Sequence, residues 1–133
     1  TSENPARLTE VSAFIERSAR MVKPQIEALP TDLQERSWNN WQKNTFAALV
    51  TPQTDETKDI RAAIDALFRF FARAEICVSS GLCDPEVMRS YFLIEARSMH
   101  TELSPFIARM RESGVNDYGR ALDAFLFEIA PEG

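Results

Sequence analysis

The sequence has few of the residues that several folds and chemistries require. Four glycines are too few for a turn-rich β-barrel, and one histidine with two cysteines cannot supply the four ligands of a structural zinc site. No apolar run approaches the roughly 18 residues that a membrane-spanning helix needs. The stretch 1–10 is polar and lacks the apolar segment that a signal peptide contains. We therefore expect neither metal-dependent folding nor a membrane span in this chain.

The chain is short and acidic. Its 133 residues, of which 44% are hydrophobic, are enough for a single domain with its own core, over residues 1–133. The net charge of −5 disfavours general binding to nucleic acid, because contacts to phosphates need a basic surface.

Apolar residues recur at spacings of three and four along the chain, which predicts an all-α fold. We expect a bundle of four to five helices, and the predicted helical segments are 4–29, 31–50, 58–79, 85–113 and 116–129. Pro24 is predicted to kink or end the first helix, and Pro105 to kink the fourth. Thr31 begins a capping-box pattern, and 52–57 is predicted to be a loop.

The clearest predicted boundary lies between the third and fourth helices. Gly81 suits the left-handed position after a helix, and Asp84 followed by Pro85 is typical of a helix start. Because the connection is short, helices 58–79 and 85–113 are predicted to form a central antiparallel hairpin.

The two cysteines, Cys77 and Cys83, are six residues apart. We interpret them as partly buried free thiols, a pattern that favours a reducing compartment. A disulfide across the short turn is the alternative in an oxidising compartment.

Residue patterns typical of catalysis are absent from the sequence. His100 is the only histidine, and a lone histidine on a helix is most often a surface or boundary residue. Glu95 and His100 are five residues apart, so they do not form the Glu-x-x-His pair of di-metal bundles. We expect no enzyme activity, no cofactor and no metal site.

Tyr91, Glu95 and Glu102 form a candidate pocket on the fourth helix. Both carboxylates lie by helical angle within the apolar side, where an unpaired acid is costly. One interpretation is a pocket with raised carboxylate pKa values. The alternative is that the acids pair with arginines of the third helix. The solvent side of that helix is predicted to carry Arg61, Asp65, Arg69 and Arg73.

Two groups of apolar residues form a candidate interaction surface. Trp38 and Trp41 either form a recognition surface or pack at the edge of the core. Ile76, Leu93 and Ile94 lie off the apolar stripes of their helices, so a second element is expected to cover them. That element is the first helix, the fifth helix or a second copy of the chain, and the last case predicts a homodimer.

Three parts of the sequence between Ala66 and Leu126 carry a family resemblance. They are Leu-Phe-Arg-Phe-Phe at 67–71 with Ser-Gly-Leu-Cys-Asp-Pro-Glu at 80–86, Tyr-Phe-Leu-Ile at 91–94, and Leu-Ser-Pro-Phe-Ile at 103–107 with Arg-Met-Arg at 109–111 and Tyr118. In order and spacing they resemble the family called domain of unknown function 4760. The resemblance implies a bacterial all-α domain, often behind a membrane anchor, without an established activity.

Together these features predict a non-catalytic, acidic, helical module that binds another protein or a second copy of itself. One alternative is a stoichiometric inhibitor, such as an immunity or phage counter-defence protein, that presents carboxylates to a basic partner. Another is a small-ligand sensor or enzyme that uses the carboxylate-lined pocket. We expect a cytoplasmic location, with a membrane tether upstream of Thr1 as the alternative.

Overall fold

The computed structural model describes residues 4–131, and this part of the chain contains five helices and no strand. The helices are α1 (Asn4–Glu27), α2 (Thr31–Val50), α3 (Asp55–Ser79), α4 (Pro85–Glu112) and α5 (Arg120–Ile129). They pack as a bundle, so the predicted fold class is confirmed.

The two prolines predicted to disturb helices lie inside continuous ones. Pro24 lies within α1, which continues to Glu27, so the helix does not stop at this residue. Pro105 lies within α4, which continues to Glu112, as expected from the unbroken apolar stripe. The missing N–H of each proline is therefore tolerated inside the bundle.

The start of α3 lies at Asp55 rather than at residue 58. The Thr54 hydroxyl accepts a hydrogen bond from the Thr57 N–H, and the Thr57 hydroxyl accepts one from the Thr54 N–H, both at 3.1 Å. This reciprocal cap extends α3 into the predicted loop. At α2, by contrast, Thr31 is already helical and Pro30 occupies the N-cap position without a side-chain cap, so the predicted capping box is not formed there.

The turn between α3 and α4 has the predicted geometry. Gly81 has a φ of 84°, and the Asp84 carboxylate accepts a hydrogen bond from the Glu86 N–H at 2.9 Å. Across the turn, the Cys83 N–H donates to the carbonyl of Cys77 at 2.9 Å. This helix end brings the two cysteine Cα atoms to 5.1 Å, and the sulfur atoms form a disulfide. The free-thiol interpretation is therefore wrong.

A short turn precedes α5, which begins at Arg120 rather than at residue 116. The turn covers residues 116–119 and ends at Gly119, which has a φ of 78°. A Cβ atom at Gly119 would lie 3.3 Å from the Ile107 side chain, so the backbone also approaches α4 closely here. Tyr118 consequently lies in the turn and not in the helix.

α5 packs between α3 and α4 over part of the predicted central hairpin. The Phe125 ring contacts that of Phe71 on α3 with centroids 5.4 Å apart, and Arg89 on α4 donates to the carbonyl of Ile129 at 3.0 Å. Each of α3 and α4 contacts α5 more extensively than it contacts the other. The fully buried Leu122 and Phe125 explain why, since α5 is on average the most apolar helix and its apolar face fills the groove between α3 and α4.

The other side of the bundle is covered by α1 and α2. Val11 and Phe14 are the buried residues that α1 contributes to the main core, and α2 contributes Phe46 and Leu49. The ring of Phe46 lies 6.5 Å from that of Phe106 on α4. Among residues 4–131, no helix has the combination of length and apolarity that crossing a bilayer requires.

We name the two ends of the bundle by their content. The corner end holds the Cys77–Cys83 turn, the start of α4 and the end of α5. The network end holds the first turns of α3 and the turn before α5, where Arg61, Asp65 and Tyr118 meet.

Candidate functional site

The network end contains an interhelical set of polar contacts centred on Arg61. Its guanidinium donates to the carbonyls of Leu49 and Val50 at 3.2 and 3.1 Å, which satisfies the end of α2. It also pairs with Asp65 at 3.2 Å and lies 5.7 Å from the centre of the Phe106 ring. The assignment of Arg61 and Asp65 to the solvent side of α3 is therefore wrong.

Tyr118 completes this set from the turn before α5. Its hydroxyl donates to Asp65 at 3.0 Å, and its ring packs edge-on against Phe68 and Phe106. Burial, and then the charge of Asp65, raise the pKa of Tyr118 far above its ordinary value of 10.0. Every polar group here is engaged by another, so the network end has a structural role.

The single histidine lies in a cluster of polar side chains. His100 Nε2 is 3.0 Å from Asp123, and Arg111 is 3.2 Å from the other oxygen of the same carboxylate. All three side chains are partly exposed. In the part of the chain that the structure describes, no group of three or more metal-ligating side chains comes together.

The corner end exposes large apolar side chains. Val87, Tyr91 and Ile94 are 48, 70 and 82% exposed and lie along one stripe of α4, facing away from the core. Phe127 on α5 is 69% exposed and lines the groove between α4 and α5. We call these four residues the outer patch.

The residues of the candidate interaction surface lie at separate places in the structure. Ile76 is exposed on α3 and Ile94 belongs to the outer patch, whereas Leu93 is half-buried and packs against the core beside α5. For Leu93, the covering element is thus the fifth helix. Trp38 and Trp41 are half-buried and pack edge-to-face with centroids 5.7 Å apart. These tryptophans lie on α2, away from the outer patch.

The candidate pocket is not assembled. Tyr91 points outward, whereas Glu102 is half-buried and accepts a hydrogen bond from the hydroxyl of Ser12 on α1 at 2.8 Å. Glu95, which lies between Tyr91 and Glu102 in the sequence, is half-buried. Within residues 4–131, neither acid pairs with Arg69 or Arg73, so the expected pairing with α3 is also wrong.

A cleft of about 600 Å³ lies at the corner end between α1, α3 and α4. Its walls carry Arg7, Arg69 and Arg73, and its floor includes Phe70 and Phe92. We call it the arginine cleft. Sequence reasoning missed it because the third helix appeared to have an ordinary solvated face.

One carboxyl group near the outer patch is poorly accommodated. Glu128 on α5 lines the groove beside Ile94, and one of its buried oxygens has no hydrogen-bond partner among the described residues. Burial, and then the charge of Glu75, raise the pKa of Glu128 above its ordinary value of 4.5.

Two sequence signals could have found the missed features. Asp65 follows Arg61 by one turn of α3, a spacing at which an aspartate and an arginine on one helix face form an ion pair. Cysteines on either side of a glycine that ends a helix are held close by the turn itself, which favours the disulfide.

A family model described as Domain of unknown function (DUF4760) matches residues 3–122. The chain belongs to this family. The match begins far before the stretch 66–126 that carried the resemblance, includes α1, α2, α3 and α4 completely, and ends within α5. No curated protein and no solved structure matches the chain.

Proposed function

We propose that this DUF4760 chain is a non-catalytic interaction module that pairs with a second copy of itself through the outer patch. The supporting observation is the exposed stripe Val87, Tyr91 and Ile94 on the outer face of α4. These side chains lie opposite the core-facing stripe, so packing within one chain does not account for them. Exposed aromatic and aliphatic side chains grouped in this way are typical of interfaces.

The charges beside the stripe favour a second copy as the partner. Glu86 and Arg97 are both exposed on the same flank of α4, eleven residues and therefore about 16 Å apart. Tyr91 lies close to the midpoint between them. If two α4 helices pair antiparallel about a two-fold axis near Tyr91, each Glu86 meets the Arg97 of the other copy. An isologous interface requires this kind of self-complementarity.

The size of the patch favours a weak dimer. It spans the first turns of α4 and one residue of α5, which is less than the surface of an obligate dimer. We therefore expect association at micromolar concentration.

Sedimentation velocity of the whole chain over a concentration series tests the proposal. Ile94→Asp is expected to raise the dimer Kd by at least about thirtyfold, because it places a charge in a patch that pairing buries. The matched control is Met21→Asp on α1, where the side chain is 78% exposed and remote from the patch. It is expected to leave the Kd unchanged.

A charge exchange tests the geometry. Glu86→Arg and Arg97→Glu are each expected to weaken the dimer by placing like charges together, and the double variant E86R/R97E is expected to restore it. A chain that stays monomeric at millimolar concentration overturns the proposal. So does equal weakening by Ile94→Asp and Met21→Asp, and a double variant no stronger than the singles overturns the antiparallel arrangement.

Two other expectations are less well supported. An acidic inhibitor needs carboxylates concentrated into one patch, whereas the 20 acidic residues of this chain are spread along it among 15 Lys and Arg. The cytoplasmic location was expected from two free thiols. The disulfide at the corner favours an oxidising compartment instead, and we propose that location for the paired module.

A further inference from the structure

The arginine cleft has the opposite charge to the chain as a whole. The polar side chains in its wall are Asn4, Arg7, Arg69 and Arg73, and the volume is about 600 Å³. No aspartate or glutamate contributes to the lining within residues 4–131. Within the described residues, the charged side chains that line the cleft are all arginines, in a chain with a net charge of −5.

Two of these arginines have no acidic partner in the part of the chain described here. Arg69 and Arg73 are one turn apart on α3, so their side chains are neighbours on the helix surface, and like charges at this spacing destabilise a helix. Asp65, one turn before Arg69, is already engaged by Arg61. A bound anion would relieve this repulsion.

The floor of the cleft is apolar. The rings of Phe70 and Phe92 pack edge-to-face with centroids 5.1 Å apart, and Met88 lies beside them. The Cys77–Cys83 disulfide closes the end of the cleft. A cavity of this volume is in the range that holds a small molecule, with an apolar body on the floor and a polar group at the wall.

We propose that the arginine cleft binds an anionic amphiphile. Arg69 and Arg73 would hold its carboxylate or phosphate head group, because the planar guanidinium matches both groups with paired hydrogen bonds. Phe70, Met88 and Phe92 would receive an aliphatic chain, whose burial favours binding. This site is separate from the outer patch and does not depend on self-association.

Calorimetric titration of the whole chain with decanoate tests the ligand class. Acetate has the same head group without the chain, and decanol has the chain without the charge. Each is expected to bind at least about tenfold more weakly than decanoate. Affinity is expected to rise by up to about fourfold per methylene from hexanoate to decanoate. Equal binding of decanol and decanoate, or no binding of decanoate, overturns the proposal.

Charge-matched variants locate the site. Arg69→Gln with Arg73→Gln is expected to weaken decanoate binding by about tenfold or more. Arg20→Gln with Arg36→Gln removes the same charge from exposed positions on α1 and α2 and is expected to leave binding unchanged. An equal loss in both double variants assigns the effect to net charge and overturns the cleft as the site.

Vesicles distinguish a free amphiphile from a bilayer lipid as the source of the head group. If phosphatidylglycerol vesicles bind and soluble decanoate displaces them, the cleft takes a lipid head group and the proposal stands. Binding of decanoate without binding of vesicles assigns a free acid and also supports it. Vesicle binding that decanoate does not displace indicates a flat membrane-binding surface and overturns the proposal.

Discussion

Charged residues are in opposite environments at the two ends of the bundle. At the network end, Arg61 binds two backbone carbonyls and one carboxylate, and that carboxylate also receives the hydroxyl of Tyr118. At the corner end, Arg69 and Arg73 line an open cleft and pair with no carboxylate in the range 4–131. The same residue type on the same helix therefore stabilises the fold at one end and is available to a ligand at the other.

The difference follows from whether the last backbone carbonyls of the neighbouring helix already have hydrogen-bond donors. The end of α2 presents free carbonyls near the start of α3, and a guanidinium is the natural donor for them. The end of α3 has its carbonyls satisfied within the turn itself, because Ser80, Gly81 and Cys83 donate back to the helix. Arginines near the corner consequently have no structural acceptor there.

The largest expected effect is at the network end. Arg61→Ala leaves the carbonyls of Leu49 and Val50 and the carboxylate of Asp65 without this donor, and we expect the free energy of unfolding to fall by about 3 kcal/mol. Arg69→Ala on the same helix is the matched control and is expected to change it by no more than about 0.5 kcal/mol. Urea denaturation measures both, and equal losses would contradict the contrast between the ends.

The corner end is expected to depend on its disulfide. Removal of a cross-link between residues six apart, by reduction or by Cys77→Ser with Cys83→Ser, is expected to lower the free energy of unfolding by about 2 kcal/mol. The double variant should no longer respond to reductant in urea denaturation. Two labelled thiols in the folded, unreduced chain would contradict the bond.

A smaller effect, with a pH dependence, is expected at Tyr118. Tyr118→Phe removes one hydrogen bond to Asp65 and is expected to cost about 1 kcal/mol at pH 7. Because the pKa of Tyr118 is raised above 10.0 in the folded chain, the folded state keeps a proton that the unfolded chain releases above pH 10. The free energy of unfolding should therefore fall as the pH rises above that value.

The only other tyrosine supplies the control. Tyr91→Phe alters an exposed side chain and should keep this alkaline loss of stability, whereas Tyr118→Phe should lack it. Denaturation midpoints between pH 8 and 12, compared for both variants, give the difference; identical profiles would remove the role assigned to the Tyr118 hydroxyl.

The helices themselves could be predicted from the sequence because their signals are local. Gly81 and Asp84 mark the corner through backbone conformation and a cap, and neither depends on the rest of the chain. The start of α3 does not follow from the usual capping-box pattern, because Thr57 and not a glutamate or glutamine stands at the third helical position and completes the reciprocal pair with Thr54.

The candidate sites could not be predicted to the same extent, because they depend on how the helices pack. Helical periodicity places Glu102 correctly on the inner side of α4. Its hydrogen-bond partner there is Ser12 of α1 and not an arginine of α3. The arginine cleft exists because α5 enters between α3 and α4 on one side while α1 leaves space on the other. No periodicity within one helix encodes that arrangement.

Tyr91 and Phe92 are consecutive residues with ring centroids 6.2 Å apart, and they belong to different surfaces. One faces the proposed partner and the other forms the floor of the arginine cleft. A displacement of this single helical turn must alter both at once. If ligand binding in the cleft strengthens dimer formation by some factor, the dimer must bind the ligand more tightly than the monomer by the same factor. A measurement of either binding constant would then report on the other.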